Sequence, residues 1–348
     1  MNLPLIDSQY FLQFLTQLLN IPSPTGYTEK AIEFVEKEFK KYSGITSWRI
    51  KKGGLVLKWQ GEQEDHPVAL TAHVDTLGAM VKEVKGNGRL KLSKLGGFAW
   101  NTVEGEGCQV FTREGKVVRG SILITKASTH VHGAATGESK RDDDGIEVRL
   151  DIVSQSADET ASAGIQVGDY VSIDPRVEFT NGFVRSRHLD DKACVANIVS
   201  AVKSLSDAGL KPRQTTYVLI SNYEEVGHGA STGLPADVEE LVAVDMAAVG
   251  EGQTSNEQFA SICVKDSGGP YHLGLSNRLR DLAEKYDIPY KVDIYPFYGS
   301  DGEAYLRAGG DVRLALIGPG VDASHHYERT HLDGLLATTN WIMAYLLG

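Results

Sequence analysis

Apolar residues follow two spacings along this chain, and the switches between them outline its architecture. Near the start, "IDSQYFLQFLTQLLN" repeats apolar positions at helical spacing, with Asp7 or Ser8 placed to cap the first turn. A Pro/Gly turn in "IPSPTGYTEK" leads to a second helix that carries Ile32, Val35 and Phe39 on one side. Short β-branched runs predict strands at 54–59 and 67–72. From Asp190 onward the alternation resumes: a helix over 192–207, strands at 215–221, 240–245 and 261–265, a helix over 271–286, strands at 290–294 and 313–317, and a final helix from about 333. Strands that alternate with helices predict a largely parallel sheet covered on both faces.

The middle of the chain breaks this rhythm. Residues 76–186 are rich in glycine and in short β-type runs such as "GRLKLSKL", "KVVRGSILIT" and "GIEVRLDIV", with little helical periodicity. The expectation is an α/β fold with a mixed, largely parallel sheet flanked by helices, formed by 1–75 and 187–348. An all-β, barrel-like domain at 76–186 is inserted into it. The polar stretch "GESKRDDDG" inside the insertion reads as a solvated loop.

Composition narrows the function by exclusion. A net charge of −11 argues against a nucleic-acid or acidic-membrane partner. Cys108, Cys194 and Cys263 are odd in number and lack CxxC spacing, so a disulfide framework or thiolate zinc site is not indicated and a cytoplasmic location fits best. No apolar run approaches the ~20 residues of a membrane helix.

Candidate chemistry gathers where predicted strands end, which is where open α/β sheets bind ligands. "ALTAHVDTLG" places His73 and Asp75 there, "RSRHLDDKA" Asp190 and Asp191, "SNYEEVG" Glu224 and Glu225, and "LVAVDMA" Asp245. "VDASHHYERTH" adds His325, His326 and His331. Each has an ordinary reading as a cap or a hydrogen-bonded residue. Their coincidence weakens that reading, because buried carboxylates and imidazoles cost desolvation unless something compensates. A mixed nitrogen and oxygen donor set suits Zn²⁺, Co²⁺ or Mn²⁺, and its size exceeds the three protein ligands of one catalytic zinc, pointing to two metals.

The segments "PSPTGYTEKA", "AHVDTLG", "LDDK", "EEVGHGAS", "VDMA" and "YGSDGEAYLRAGG", in this order, make the whole chain resemble the tetrahedral, glutamyl and deblocking aminopeptidases, with their zinc-exopeptidase-like fold. "DASH-x-YERTH" also resembles a subgroup that accompanies synthesis of an acetylated glutamine dipeptide osmolyte. The resemblance implies a cytoplasmic, binuclear metallo-aminopeptidase. His73 and Asp245 would bind one metal, Glu225 and His325 the other, and Asp190 would bridge them. His326 and His331 stand as alternatives to His325. Glu224 would be the general base and Asp75 the residue that orients His73. The cofactors implied are two divalent ions, zinc first with cobalt or manganese as alternatives. The partner implied is a peptide or small amide substrate. A homo-oligomer built from dimers, up to a tetrahedral dodecamer, is implied too, with contacts from the inserted domain. Lys192 departs from the arginine common at that place. A dipeptidase or deacylase, and a non-catalytic peptide-binding scaffold, are the rival readings.

Overall fold

A computed structural model describes residues 2–348. The chain divides into two compact units: Thr76–Pro175, and the segment ending at Asp75 together with Arg176–Gly348.

The larger unit is built on a 12-stranded sheet. Four strands at its centre run parallel: Gln214–Ser221, Gln63–His73, Glu240–Val244 and Arg313–Asp322. Leu55–Trp59 and Ile45–Arg49 extend the sheet antiparallel on one side. Ala260–Lys265 lies antiparallel against Arg313–Asp322 and carries Tyr290–Ile294. The sheet is mixed and largely parallel in its core, as the alternation predicts.

Because strand side chains alternate between faces, each strand feeds two cores. Leu55, Leu57, Leu70, Ala72, Val218, Ile220, Val242 and Val244 join one apolar cluster with the helices Ser8–Leu19, Glu29–Phe39, Leu189–Asp207 and Leu332–Leu347. Val56, Ala69, Tyr217, Leu219, Leu241 and Ala243 join another with Tyr305 of the helix Asp301–Arg307. Burial on both faces explains why these strands read as continuous apolar runs. Asp7, and not Ser8, caps the first helix, its carboxylate accepting from the Tyr10 N–H at 2.9 Å.

The smaller unit is a closed antiparallel barrel of Gly78–Val84, Leu90–Leu95, Ile146–Leu150, Val117–Ile124, Gly107–Phe111 and Tyr170–Ile173. Ala79, Val81, Leu92, Val110, Ile122, Val148 and Val171 fill it as a separate core. Of the stretch read as a loop, Gly137 and Glu138 close the short helix Ala135–Glu138, and 139–145 is a largely exposed loop, with Asp143 accepting from Trp100 Nε1 at 2.6 Å and Asp144 paired to Lys91. The unit ends at Pro175, earlier than the expected 186. Phe183–Ser186 ladders onto Glu328–His331 and Glu178–Thr180 onto Phe183–Ser186, so both belong to the large sheet.

Candidate metal centre

The register of the parallel strands lines their carboxyl ends up. His73 is the last residue of its strand and pairs with Ser221; Val244 pairs with Ile317. One step past these pairs the chain delivers Asp245, and three or four residues past Ser221 it delivers Glu224 and Glu225 in a short 3₁₀ turn. Gly318 permits the close approach of the Asp245 segment: a Cβ there would lie 1.8 Å from the Asp245 carbonyl oxygen. Asp190 and Asp191 open the helix Leu189–Asp207 in non-helical backbone and are joined by a cis peptide.

Two overlapping donor sets result. His73, Asp190 and Asp245 offer one ligand atom each, all within 4.8 Å of one another, and so do Asp190, Glu225 and His325. Asp190 is common to both. His73 Nε2 lies 3.2 Å from Asp190 Oδ1, and His325 Nε2 lies 3.4 Å from Asp190 Oδ2 and 3.6 Å from Glu225 Oε2. Neither His326 nor His331 enters a donor set among the described residues. His326 is exposed and its Nδ1 accepts from the Tyr327 N–H; His331 Nδ1 accepts from Asp333 N–H as the cap of the last helix.

His73 tests whether a cation fits. Its Nδ1 sits 2.9 Å from the Asp75 carbonyl oxygen, which can only accept, so Nδ1 carries a proton and Nε2 is the nitrogen that can give up its own to present a lone pair. That Nε2 is buried and makes no hydrogen bond of acceptable geometry despite the carboxylates around it. A buried polar atom without a partner, turned to a cluster of carboxyl oxygens, fits a divalent ion.

The electrostatics agree. Burial, with Asp190 adding to it, pushes Glu225 up to about 8 and Asp245 up to about 7. Burial would lower the His73 imidazole, yet Asp190 and Asp75 outweigh it and hold the ring well above its usual value. Asp190 stays below the usual carboxylate range because His325 and His73 overcome its burial. Positive charge is what the cluster lacks, and a bound cation would let its acids ionise.

The two adjacent glutamates differ. Glu225 is 3% exposed at its side chain and faces His325, whereas Glu224 is 17% exposed and lies 3.7 Å from His73 Nε2. Burial chiefly, then Asp245, Asp301 and Glu225, raise Glu224 well above the carboxylate range against the pull of His73. Asp75 is wholly buried. Its carboxylate accepts from Thr25 Oγ1 at 2.7 Å and from the N–H groups of Glu224 and Glu225 at 3.1 and 3.3 Å, while its own distance to His73 Nδ1 is 3.5 Å. It anchors the glutamate turn as firmly as it faces the histidine.

Four residues of the site carry no assigned role in the sequence reading. Asp191 Oδ2 accepts from the His73 N–H at 3.1 Å. Asp301 accepts from the Ala230 N–H at 2.8 Å and from Ser221. Tyr298 Oη donates to the Met246 carbonyl at 2.8 Å, beside Asp245. Glu328 accepts from the N–H groups of Asp190 and His325 at 3.1 and 3.2 Å. Asp191 and Glu328 sit in candidate ligand segments, and Tyr298 and Asp301 lie in the segment "YGSDGEAYLRAGG". Lys192 is fully buried and donates to the Ile21 carbonyl at 2.7 Å, and burial pulls its ammonium down to about 7.

A sequence profile described as "M42 glutamyl aminopeptidase" matches residues 53–340. "Putative aminopeptidase YhfE" of Bacillus subtilis (strain 168) is 46% identical over 336 residues, covering 96% of each chain. Among solved structures, an aminopeptidase from the archaeon Desulfurococcus kamchatkensis superposes with a TM-score of 0.86 at 21% identity, covering 97% of this chain and 95% of that one. The Pyrococcus horikoshii TET1 peptidase, described as able to assemble into a tetrahedron or a large octahedral shell, superposes at 0.83 with 22% identity, covering 97% and 99%.

Proposed function

We propose a two-metal mechanism for this chain on the premise that it belongs to the M42 glutamyl aminopeptidase family and is a metal-dependent aminopeptidase, a hydrolase of peptide bonds. One observation carries the proposal: the two donor sets share Asp190, so a single carboxylate can serve two ions. His73 and Asp245 would hold one ion and Glu225 and His325 the other, with Asp190 serving both. The donors are mixed imidazole and carboxylate, which favours Zn²⁺, with Co²⁺ or Mn²⁺ as alternatives. When bound, the ions polarise the scissile carbonyl and lower the pKa of a water.

The rest is done by the chain. Glu224 accepts the proton of the attacking water and passes it to the leaving amine, work that suits a partly exposed carboxyl whose pKa lies above the usual carboxylate range. Asp75 fixes the glutamate turn through two backbone N–H groups, so the base and its ligand neighbour diverge from a common anchor. Asp191 holds the His73 backbone, keeping the imidazole at the strand end.

The substrate is a peptide or small amide with a free or blocked N-terminus. The family and the likeness to an assembling peptidase support a homo-oligomer built from dimers, with a tetrahedral dodecamer its expected form. Three free, buried cysteines fit a reducing compartment and support a cytoplasmic location. Among the described residues no helix is long and apolar enough to cross a membrane.

The test is amine release from a panel of free and N-acylated peptides by protein stripped of metal and then titrated with Zn²⁺, Co²⁺ or Mn²⁺. Activity should return and plateau at two ions per subunit. A plateau at one ion would remove the two-metal mechanism. Turnover of acylated substrates alone would favour a deacylase, and turnover restricted to dipeptides a dipeptidase.

A further inference from the structure

We propose that Glu328 is a positioning residue that ties the bridging carboxylate to the last histidine and thereby sets the second metal site. The inference rests on the two-metal reading above and assigns a role to a side chain outside both donor sets. Glu328 is wholly buried. Its Oε2 accepts from the backbone N–H of Asp190 at 3.1 Å and its Oε1 from that of His325 at 3.2 Å. Asp190 lies 138 positions away in the sequence. One carboxylate therefore spans two chain segments, and each of them supplies a ligand to the same ion.

Both segments need such a tie. Asp190 sits in backbone that interrupts its helix (φ −74°, ψ 106°), so helical hydrogen bonds do not fix it. His325 has φ +63°, in the left-handed region, where a non-glycine residue persists only if its surroundings enforce it. Glu328 is itself well fixed. It opens the strand Glu328–His331, pairs with Ser186, and is followed by Arg329 paired with Asp322. The sheet thus holds the carboxylate, and the carboxylate holds both ligands.

The chemistry asks for glutamate at this position. Two N–H donors converge on the group, and satisfying both takes two acceptor oxygens on one side chain. Glutamine of the same shape would turn an NH₂ toward one of those N–H groups. Aspartate keeps both oxygens on an arm one methylene shorter.

The test is a Zn²⁺ titration against a competing chelator, with the thermal midpoint recorded, on the full chain and on Glu328→Gln, Glu328→Asp, His325→Ala and His325→Ala/Glu328→Gln. Glu328→Gln should weaken the ion that both tied ligands serve by about 10- to 100-fold, the range for lost partners of metal ligands, and weaken the other, which shares only Asp190, by less. Glu328→Asp should fold and fall between, which keeps the test open if the glutamine variant does not fold. Adding Glu328→Gln to His325→Ala should cost less than Glu328→Gln costs alone, because part of the effect runs through that histidine and the rest through Asp190. Unchanged affinity for both ions, whether or not the midpoint drops, would leave Glu328 a structural residue and overturn the proposal while the two-metal reading stands. Uptake of a single ion by the unmodified chain would overturn that reading and the proposal with it.

Discussion

Glu224 and Glu225 hang from one anchor, the Asp75 carboxylate, and then part: one side chain faces His73 with some solvent access, the other turns inward to His325. Glu224→Gln keeps shape and removes the basic carboxylate. It should leave about two ions bound and lower turnover by ~10² to 10⁴. Glu225→Gln replaces an anionic ligand by a neutral amide, so it should lose one ion and regain part of its activity in excess metal. Metal analysis and turnover across a metal titration distinguish them, and the opposite pattern would reverse the two roles. His325→Ala should lower metal content, whereas His326→Ala should keep it, because the His326 ring lies exposed outside both donor sets. Most candidate donors were legible because each ends a predicted strand or starts the next element; His325, between the last predicted strand and the last helix, showed only as part of a histidine-rich segment. Glu328, and the parts played by Asp191 and Asp301, were not legible, since a carboxylate that accepts backbone N–H or hydroxyl groups follows no spacing of its own.

At the scale of elements, the final helix shows how strongly packing holds the frame of the site. Trp341 is wholly buried in the main core and its Nε1 donates to the Leu279 carbonyl at 2.8 Å. Trp341→Ala should cost about 3–5 kcal/mol by urea denaturation, and a loss below about 1 kcal/mol would show that this contact is dispensable. The helix Asp301–Arg307 carries a pH response. Burial, then hydrogen bonding with Asp266, raises Glu303 from 4.5 to about 7. A carboxyl raised in the folded state favours folding while protonated, so its contribution is complete below about 4.5 and fades as pH rises through 7. The thermal midpoint of the metal-saturated protein should therefore fall more steeply between pH 5 and 7.5 than that of Glu303→Gln. Equal slopes would exclude Glu303 as a source. That helix was quoted for its motif but not predicted as an element, because seven residues hold too few turns for a helical period to show. The strands Glu178–Thr180, Phe183–Ser186 and Glu328–His331 escaped for a related reason: at three or four residues they are too short to show an alternation, the first is exposed and the last is polar throughout. The central strands were legible because burial on both faces demands an unbroken apolar run.

On the scale of the whole molecule, every residue assigned to the chemistry lies outside Thr76–Pro175, so the barrel is free to serve another purpose. Closure leaves it without sheet edges to pair, and any contact it makes must come from loops and side chains. It exposes Val117 (46%), Val131 (74%), Val153 (98%) and Val167 (64%), apolar points that burial between copies would stabilise. If the barrel contributes to assembly, Val131→Asp and Val153→Asp should reduce the size of the particle and leave the metal content per subunit unchanged, because neither lies in the unit that carries the candidate donors. Sedimentation velocity of the metal-loaded chain should give a species several times the 37.8 kDa chain mass, with about twelve copies the expected limit. The valine variants should shift the distribution toward dimers. A single species at 37.8 kDa over the micromolar range would rule out the homo-oligomer. An unshifted large particle in both variants would place its contacts elsewhere and leave the barrel with substrate access as its remaining role.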